Sequence, residues 1–200
     1  MNSVTLAGKI SDIQESHTIE RTEEKFLKFT INVARKSGVI DAIPCIASEK
    51  NEAMLIEDAT VLIKGNYRCR NIKGDDNRYH KQMYVNVITI DNTDVNDINE
   101  IVLDGTICSK IEGRKTPKNK YITDFAINVI RNAKKSDAIN CIAWGSLADK
   151  FTKCTYGDKV KLTGRIQSRE YTKQLSDGSI ETRIAYEVSV SKLFDEIVES

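Results

Sequence analysis

An all-β protein made of two tandem five-stranded barrels, each with one short helix between its third and fourth strands, is predicted by three observations. The chain repeats itself, each copy alternates apolar and polar residues at a period of two, and one helical stretch falls at the same place in each copy. The repeat is plainest in "DAIPCIA" (41–47) and "DAINCIA" (137–143), which agree at six of seven positions. "NSVTLAGKI" (2–10) matches "NEIVLDGTI" (99–107), "FTINVAR" (29–35) matches "FAINVIR" (125–131), and "VLIKGNYRCR" (61–70) matches "VKLTGRIQSR" (160–169). The offset drifts from 96 to 99, which places the insertions in loops between the blocks. The 200 residues divide into 1–92 and 98–200. These are two domains rather than a solenoid, whose repeats are shorter.

The strands follow in order. "LAGKI" and "LDGTI" open each copy, and the interior Gly8 and Gly105 suit a tight bend of a small barrel. In the second strand Phe125, Ile127 and Val129 alternate with Ala126, Asn128 and Ile130. In the third, Ile139, Cys141 and Ala143 take one face and Asn140, Ile142 and Trp144 the other. "EKNEAMLIEDA" and "SLADKFTK" supply the helices. The fourth strand contains Gly65 or Gly164, and in copy two it pairs with "IETRIAYEVSV" across the turn "SDGS"; "KGDDN" (73–77) fills that turn in copy one. Five strands with a helix between the third and fourth are the layout of an OB-fold barrel.

Composition narrows the function. The chain is 40% hydrophobic and 30% charged, and no apolar run reaches the ~20 residues that cross a bilayer. The first residues, "MNSVTLAGKI", show no charged leader with an apolar core, so the expected location is the cytosol. Cys45, Cys69, Cys108, Cys141 and Cys154 are odd in number and lack C-x-x-C spacing. They read as reduced packing residues, with no metal site and no cofactor. The stretch "DNTDVNDINE" (91–100) reads as a solvated linker; its acids fall three apart without the central Gly of a calcium loop. No nucleotide-binding or nucleophile-elbow motif occurs, and His17 and His80 lie near no suggestive Cys or Ser, so an enzyme is not expected.

Charge separates the copies. Residues 9–73 hold 11 Lys/Arg against 10 Asp/Glu; residues 106–173 hold 15 against 6. Arg165, Gln167, Arg169, Tyr171 and Lys173 alternate along the fourth strand and so share a face. A basic stripe with an aromatic in it is what a single-strand groove needs, since phosphates want positive charge and every base can stack. The loop after the first strand adds Lys110, Arg114, Lys115, Lys118 and Lys120, and the turn after the second adds Arg131, Lys134 and Lys135. Trp144 is out of phase with the core residues of its strand, and copy one has Ser48 there beside the same core letters. A barrel core that needed a Trp would leave its twin with a large void. Trp144 is therefore read as a stacking platform, with Asn140 on the same face. Copy one has Pro44 for Asn140 and Ile72 for Tyr171, but keeps Arg68 and Arg70, with Tyr67, Tyr79 and Tyr84 as substitute platforms.

The blocks "LxGxI", "FxINVxR", "IxCIAWGSLADKF" and "GDKVKLTGRIQSREY", followed by "DG" and "YEV", resemble the bacterial single-stranded DNA-binding proteins in order and spacing. The resemblance covers nearly the whole chain, once per copy, more strongly in the second. It implies an OB fold that binds single-stranded DNA with stacking aromatics, non-catalytically, in replication, recombination or repair. The family's aromatic before the closing Gly of strand three is Trp144 here, and its R-x-aromatic is Arg169–Glu170–Tyr171. Two other family aromatics are not matched: Ala138 opens strand three, and Ala133 and Lys134 follow strand two. The family's tail with an acidic tip also finds no match in the closing "LFDEIVES". A homodimer would bring four barrels together. The other open reading is an OB scaffold, like accessory primosomal proteins, whose first domain mediates protein association while nucleic-acid binding is weak or directed to RNA.

Overall fold

Strand pairing closes each copy on itself. The computed structural model describes residues 1–73, 77, 79–116, 118–174 and 178–194, apart from the side chain of Lys173. Copy one supplies β1 (Asn2–Ile19), β2 (Glu24–Ala34), β3 (Ile40–Ser48), a 3-10 helix (Glu49–Met54), β4 (Thr60–Lys73) and β5 (Tyr79–Asn92). The pairings run β1–β2–β3–β5–β4 and back to β1, all antiparallel except β3–β5. Copy two supplies β6 (Ile98–Ile107), β7 (Glu112–Lys115), β8 (Tyr121–Asn132), β9 (Lys135–Trp144), α1 (Ser146–Phe151), β10 (Lys159–Gln174) and β11 (Ile180–Phe194). Its circuit β6–β8–β9–β11–β10 closes in the same way, again with one parallel pair, β9–β11. These are two OB barrels with a helix between the third and fourth strands of each.

Alternation places the cores. Phe29, Ile31 and Val33 are buried in the first barrel, and Phe125, Ile127 and Val129 in the second. In α1, Ala148 and Phe151 are buried, and Phe151 stacks on Phe125 with ring centroids 4.2 Å apart. The matching helix of copy one buries no residue, so nothing draws its six residues into an α-helix, and it stays 3-10 under the Ser48 cap. Gly65 and Gly164 mark matching bulges where the fourth strand crosses the fifth. A Cβ there would sit 2.3 or 2.4 Å from the carbonyl oxygen of Asn86 or Ser189. All five cysteines are free, and burial pushes the Cys45 and Cys141 thiols well above their ordinary range.

The barrels are joined edge to edge. β1 and β6 pair antiparallel from Asn2↔Leu103 to Ala7↔Ile98, making one eleven-stranded sheet of the described residues. To reach each other the two strands leave their own fourth strands early, at Val4↔Gly65 and Ile101↔Gly164. A side-chain amide fills the gap in each. Asn2 accepts from Tyr67 N–H at 2.8 Å and donates to its carbonyl at 2.6 Å; Asn99 does the same with Ile166 at 2.9 and 2.7 Å. The buried backbone groups are thereby satisfied.

Several expectations need correction. In copy one β1 runs on through the polar stretch to Ile19 and forms a hairpin with β2. In copy two, "EGRK" forms β7 against β8. The linker is shorter than "DNTDVNDINE", because Asp91 and Asn92 end β5 and Ile98 to Glu100 pair with β1. Asp97 accepts from Ala34 N–H at 2.9 Å, which ties down the segment between the strands. Residues 74–76 of "KGDDN" and 176–177 of "SDGS" lie outside the described residues.

Candidate nucleic-acid interface

Trp144 ends β9 with its indole turned outward, 38% exposed, while Ile139, Cys141 and Ala143 of that strand are buried. Gly145 follows at φ +56, a left-handed turn that favours glycine and leads into α1. Register places Arg114 of β7, Ile122 of β8 and Trp144 in one row across three strands. Ile142, which strand phase puts outward with Trp144, is instead buried, at 4%.

Tyr171 lies at the far end of the same barrel, 36% exposed. It stands opposite Arg183, and the Arg169 guanidinium carbon lies 5.8 Å from its ring centroid. Val188 pairs with Cys141 in the parallel contact. Trp144 is three residues beyond Cys141, and Arg183 is five before Val188. Eight residues of strand rise separate the two aromatics by roughly 26 Å along the face. That separation is too large for the two rings to meet the same base.

The basic residues divide into two groups. Lys110, Lys115, Lys118, Lys120, Lys134, Lys135 and Arg169 are exposed, as is Asn140. Arg114 is exposed too, though it donates to Asp124 at 2.5 Å, and that bond raises its pKa. Lys173 continues β10, but its side chain lies outside the described residues. Arg68, Arg131 and Arg165 belong to the second group and are half-buried, although strand phase predicts Arg68 and Arg165 at the surface. Arg131 and Arg68 both donate to Asp137, whose carboxylate is fully buried. Arg165 is half-buried; burial first, then the neighbouring Arg35, lowers its pKa. Gln167 is buried and donates to Glu187 at 2.7 Å. The outward face of β10 therefore begins at Arg169, because the first barrel covers the strand before it.

The first barrel presents a different face. Tyr67 is a core residue, fully buried, so it offers no platform, and its hydroxyl has no hydrogen-bond partner among the described residues. Tyr84 is accessible: the Arg70 guanidinium lies 5.3 Å from its ring centroid, and Arg70 Nε donates to Gln82 at 2.8 Å. Lys28, Thr30, Pro44, Arg70, Gln82 and Tyr84 line a shallow cavity of about 240 Å³. His17 stacks on Phe26 at 4.8 Å, and burial followed by the charge of Arg70 lowers its pKa. Ser48 caps the 3-10 helix and donates to Glu24 at 2.8 Å.

Asp41 and Asp137, which open the two copies of the repeated phrase, have a structural role that strand phase does not reveal. Each is buried, at 1% and 0%, and each reaches the fourth strand of the other barrel. A signal for it is legible: Arg35 and Arg131 stand six residues upstream of the two aspartates, at the offset of the phrase itself. Exposure and strand phase predict that Tyr171→Ala and Arg169→Ala weaken oligonucleotide binding several-fold and leave the melting temperature within a degree or two of wild type, since exposed substitutions cost little. A large drop in melting temperature with binding kept would place both side chains in the core.

Residues 98–193 match the model of the Single-strand binding protein family. Single-stranded DNA-binding protein 3 of Streptococcus agalactiae serotype V is 38% identical over 84 residues, covering 38% of this chain and 61% of that one. Single-stranded DNA-binding protein 1 of Lactococcus lactis subsp. lactis is 36% identical over 84 residues, covering 38% of this chain and 56% of its own length. The chain thus spans less than two thirds of these curated relatives. A crystal structure of a deletion mutant of the single-stranded DNA binding protein from Thermus aquaticus superposes with a TM-score of 0.78 at 17% identity, covering 100% of this chain and 96% of that one. That likeness is one of fold, and it extends over both barrels.

Proposed function

We propose that the chain, whose residues 98–193 match the model of the Single-strand binding protein family, binds single-stranded DNA without catalysis, mainly through its second barrel. The observation that carries this reading is the pair of exposed aromatics, Trp144 and Tyr171, at opposite ends of one face flanked by exposed cations. Bases stack on the two rings without sequence choice, while Arg169 and the lysines of β7, the following turn and the β8–β9 turn meet phosphates. Arg68, Arg131 and Arg165 are left out of that set because the junction between the barrels occupies them. Asn140 shares the outward face of β9 and is assigned to the track.

The first domain, 1–92, contributes less. Its face lacks a Trp, and its cations are balanced by acids. Arg70 with Tyr84 is its nearest equivalent to a stacking site. A homodimer of the chain would align four such barrels, and replication, recombination or repair are the settings where such a protein acts.

The test is a titration of the full chain with oligothymidine while Trp144 fluorescence is followed. Quenching is expected as a base stacks on the indole. Affinity should fall as salt rises, with a slope of about −0.7 per phosphate contacted. An unchanged spectrum at saturating oligonucleotide, or a flat salt dependence, would overturn the reading. A uridine oligonucleotide run beside it decides the sugar preference, since stacking alone does not distinguish RNA.

A further inference from the structure

Asp41 belongs to the first barrel and acts on the second. Its Oδ1 accepts the Ser168 N–H of β10 at 2.9 Å, and its Oδ2 accepts Arg35 Nε at 2.7 Å. Arg35 Nη2 donates to the Ser168 carbonyl at 3.1 Å. One arginine–aspartate pair therefore closes on both polar groups of a single residue. At this point β10 has a strand on one side only: Ser168 faces Tyr186 of β11, while the pairing with β6 ended at Gly164. The free edge would leave a covered N–H and C=O unsatisfied. Arg35 and Asp41 replace the missing strand with charge-assisted bonds, which are about twice as strong as neutral ones.

The contact matters because of the residues just past Ser168. Arg169 is next in the chain and Tyr171 lies two beyond that, where the outward face of β10 begins. Taking that face as the binding surface of the second barrel, we propose that Asp41 is a positioning residue for its nucleic-acid binding, holding the Arg169–Tyr171 segment in place from across the junction. The inference rests on the proposed function of that face. The first barrel has lost the stacking aromatics and kept Arg35 and Asp41, and this contact gives those two letters a function. Removing the carboxylate also takes away an anion that acts on both Arg35 and the half-buried Arg165. The junction is reciprocal. Asp137 accepts the N–H of Cys69, the residue matching Ser168, at 2.8 Å.

The experiment is a double-mutant cycle in the full chain with Asp41→Ala, Tyr171→Ala and both together, read as affinity for oligothymidine. Asp41→Ala is expected to weaken binding about tenfold, and Tyr171→Ala to cost much less in its presence than alone, because an unheld tyrosine already contributes little. Amide exchange without DNA should quicken at Ser168 and Arg169. If Asp41→Ala does not fold, Asp41→Asn, which keeps a neutral acceptor for Ser168, runs the same cycle with a smaller loss. Losses that simply multiply, whatever happens to the melting temperature, would show a merely structural clamp and overturn the proposal. If Tyr171→Ala alone leaves affinity unchanged, the reading of the face has failed first and the proposal falls with it.

Discussion

Trp144→Ala should bind oligothymidine about 1–3 kcal/mol more weakly than wild type, the range found when a single aromatic platform for a base is removed. That is about a five- to 150-fold rise in Kd. The loss should be nearly independent of salt, because stacking releases no counterions, whereas replacing Lys118 or Lys120 should reduce the salt slope itself. The melting temperature should fall much less than for a core aromatic, since the indole is 38% exposed. Trp144→Phe should recover part of the affinity through its own ring face. If Trp144→Ala binds like wild type at every salt concentration, the outward indole is only a surface residue, and the second barrel has no platform at that end.

The barrels were legible because two copies of one pattern are two measurements of it. Where both copies put a large apolar residue on the inward phase, as at Phe29 and Phe125 or Ile31 and Ile127, that residue is buried, while the matched pair Ala34 and Ile130 on the other phase is exposed. The helix was legible as an insertion at a fixed place. Its type in copy one was not, because a six-residue segment without a buried anchor has no pattern to read. The outward Trp144 is legible by difference: it appears once where the core letters appear twice. The junction escaped for a related reason. Strand phase says which face a side chain takes but not whether another barrel covers it. Arg165, Gln167 and Arg68 have the right phase for solvent and sit against the partner barrel instead. Tyr67 shows the reverse error: an aromatic in a binding strand reads as a platform, yet its phase matches Ile166, a core residue. The letters that did report the junction were polar ones repeated in both copies, Asn2 with Asn99, Arg35 with Arg131 and Asp41 with Asp137. In a barrel repeat, apolar identity reports the core; polar identity at buried positions reports contact between the copies.

The largest effect expected in this molecule comes from the last of those pairs. Asp137 is fully buried, and its two oxygens receive the Cys69 N–H at 2.8 Å, Arg68 at 3.0 Å and Arg131 Nε at 3.1 Å. Burial by itself would raise its pKa, but the bonds from Arg131, Cys69 and Arg68 outweigh burial and hold it below the ordinary 3.8. Removing one member of such a cluster leaves the others buried and uncompensated. Asp137→Ala strands two guanidinium groups beside each other and should cost about 3–5 kcal/mol. For a chain of this size that lowers the melting temperature by about 6–20 °C. The pH dependence is set by the sign of the shift. A carboxyl held below its unfolded pKa contributes stability in full above that value and loses it as pH falls through the folded pKa. The gap in stability between wild type and Asp137→Asn should therefore be constant above about pH 5 and narrow steadily below 3.8. Denaturant unfolding of both proteins across that range measures it. A gap that stays constant into acid would mean that folding does not lower the Asp137 pKa, and an Asp137→Ala protein as stable as wild type would mean that the two barrels do not depend on it.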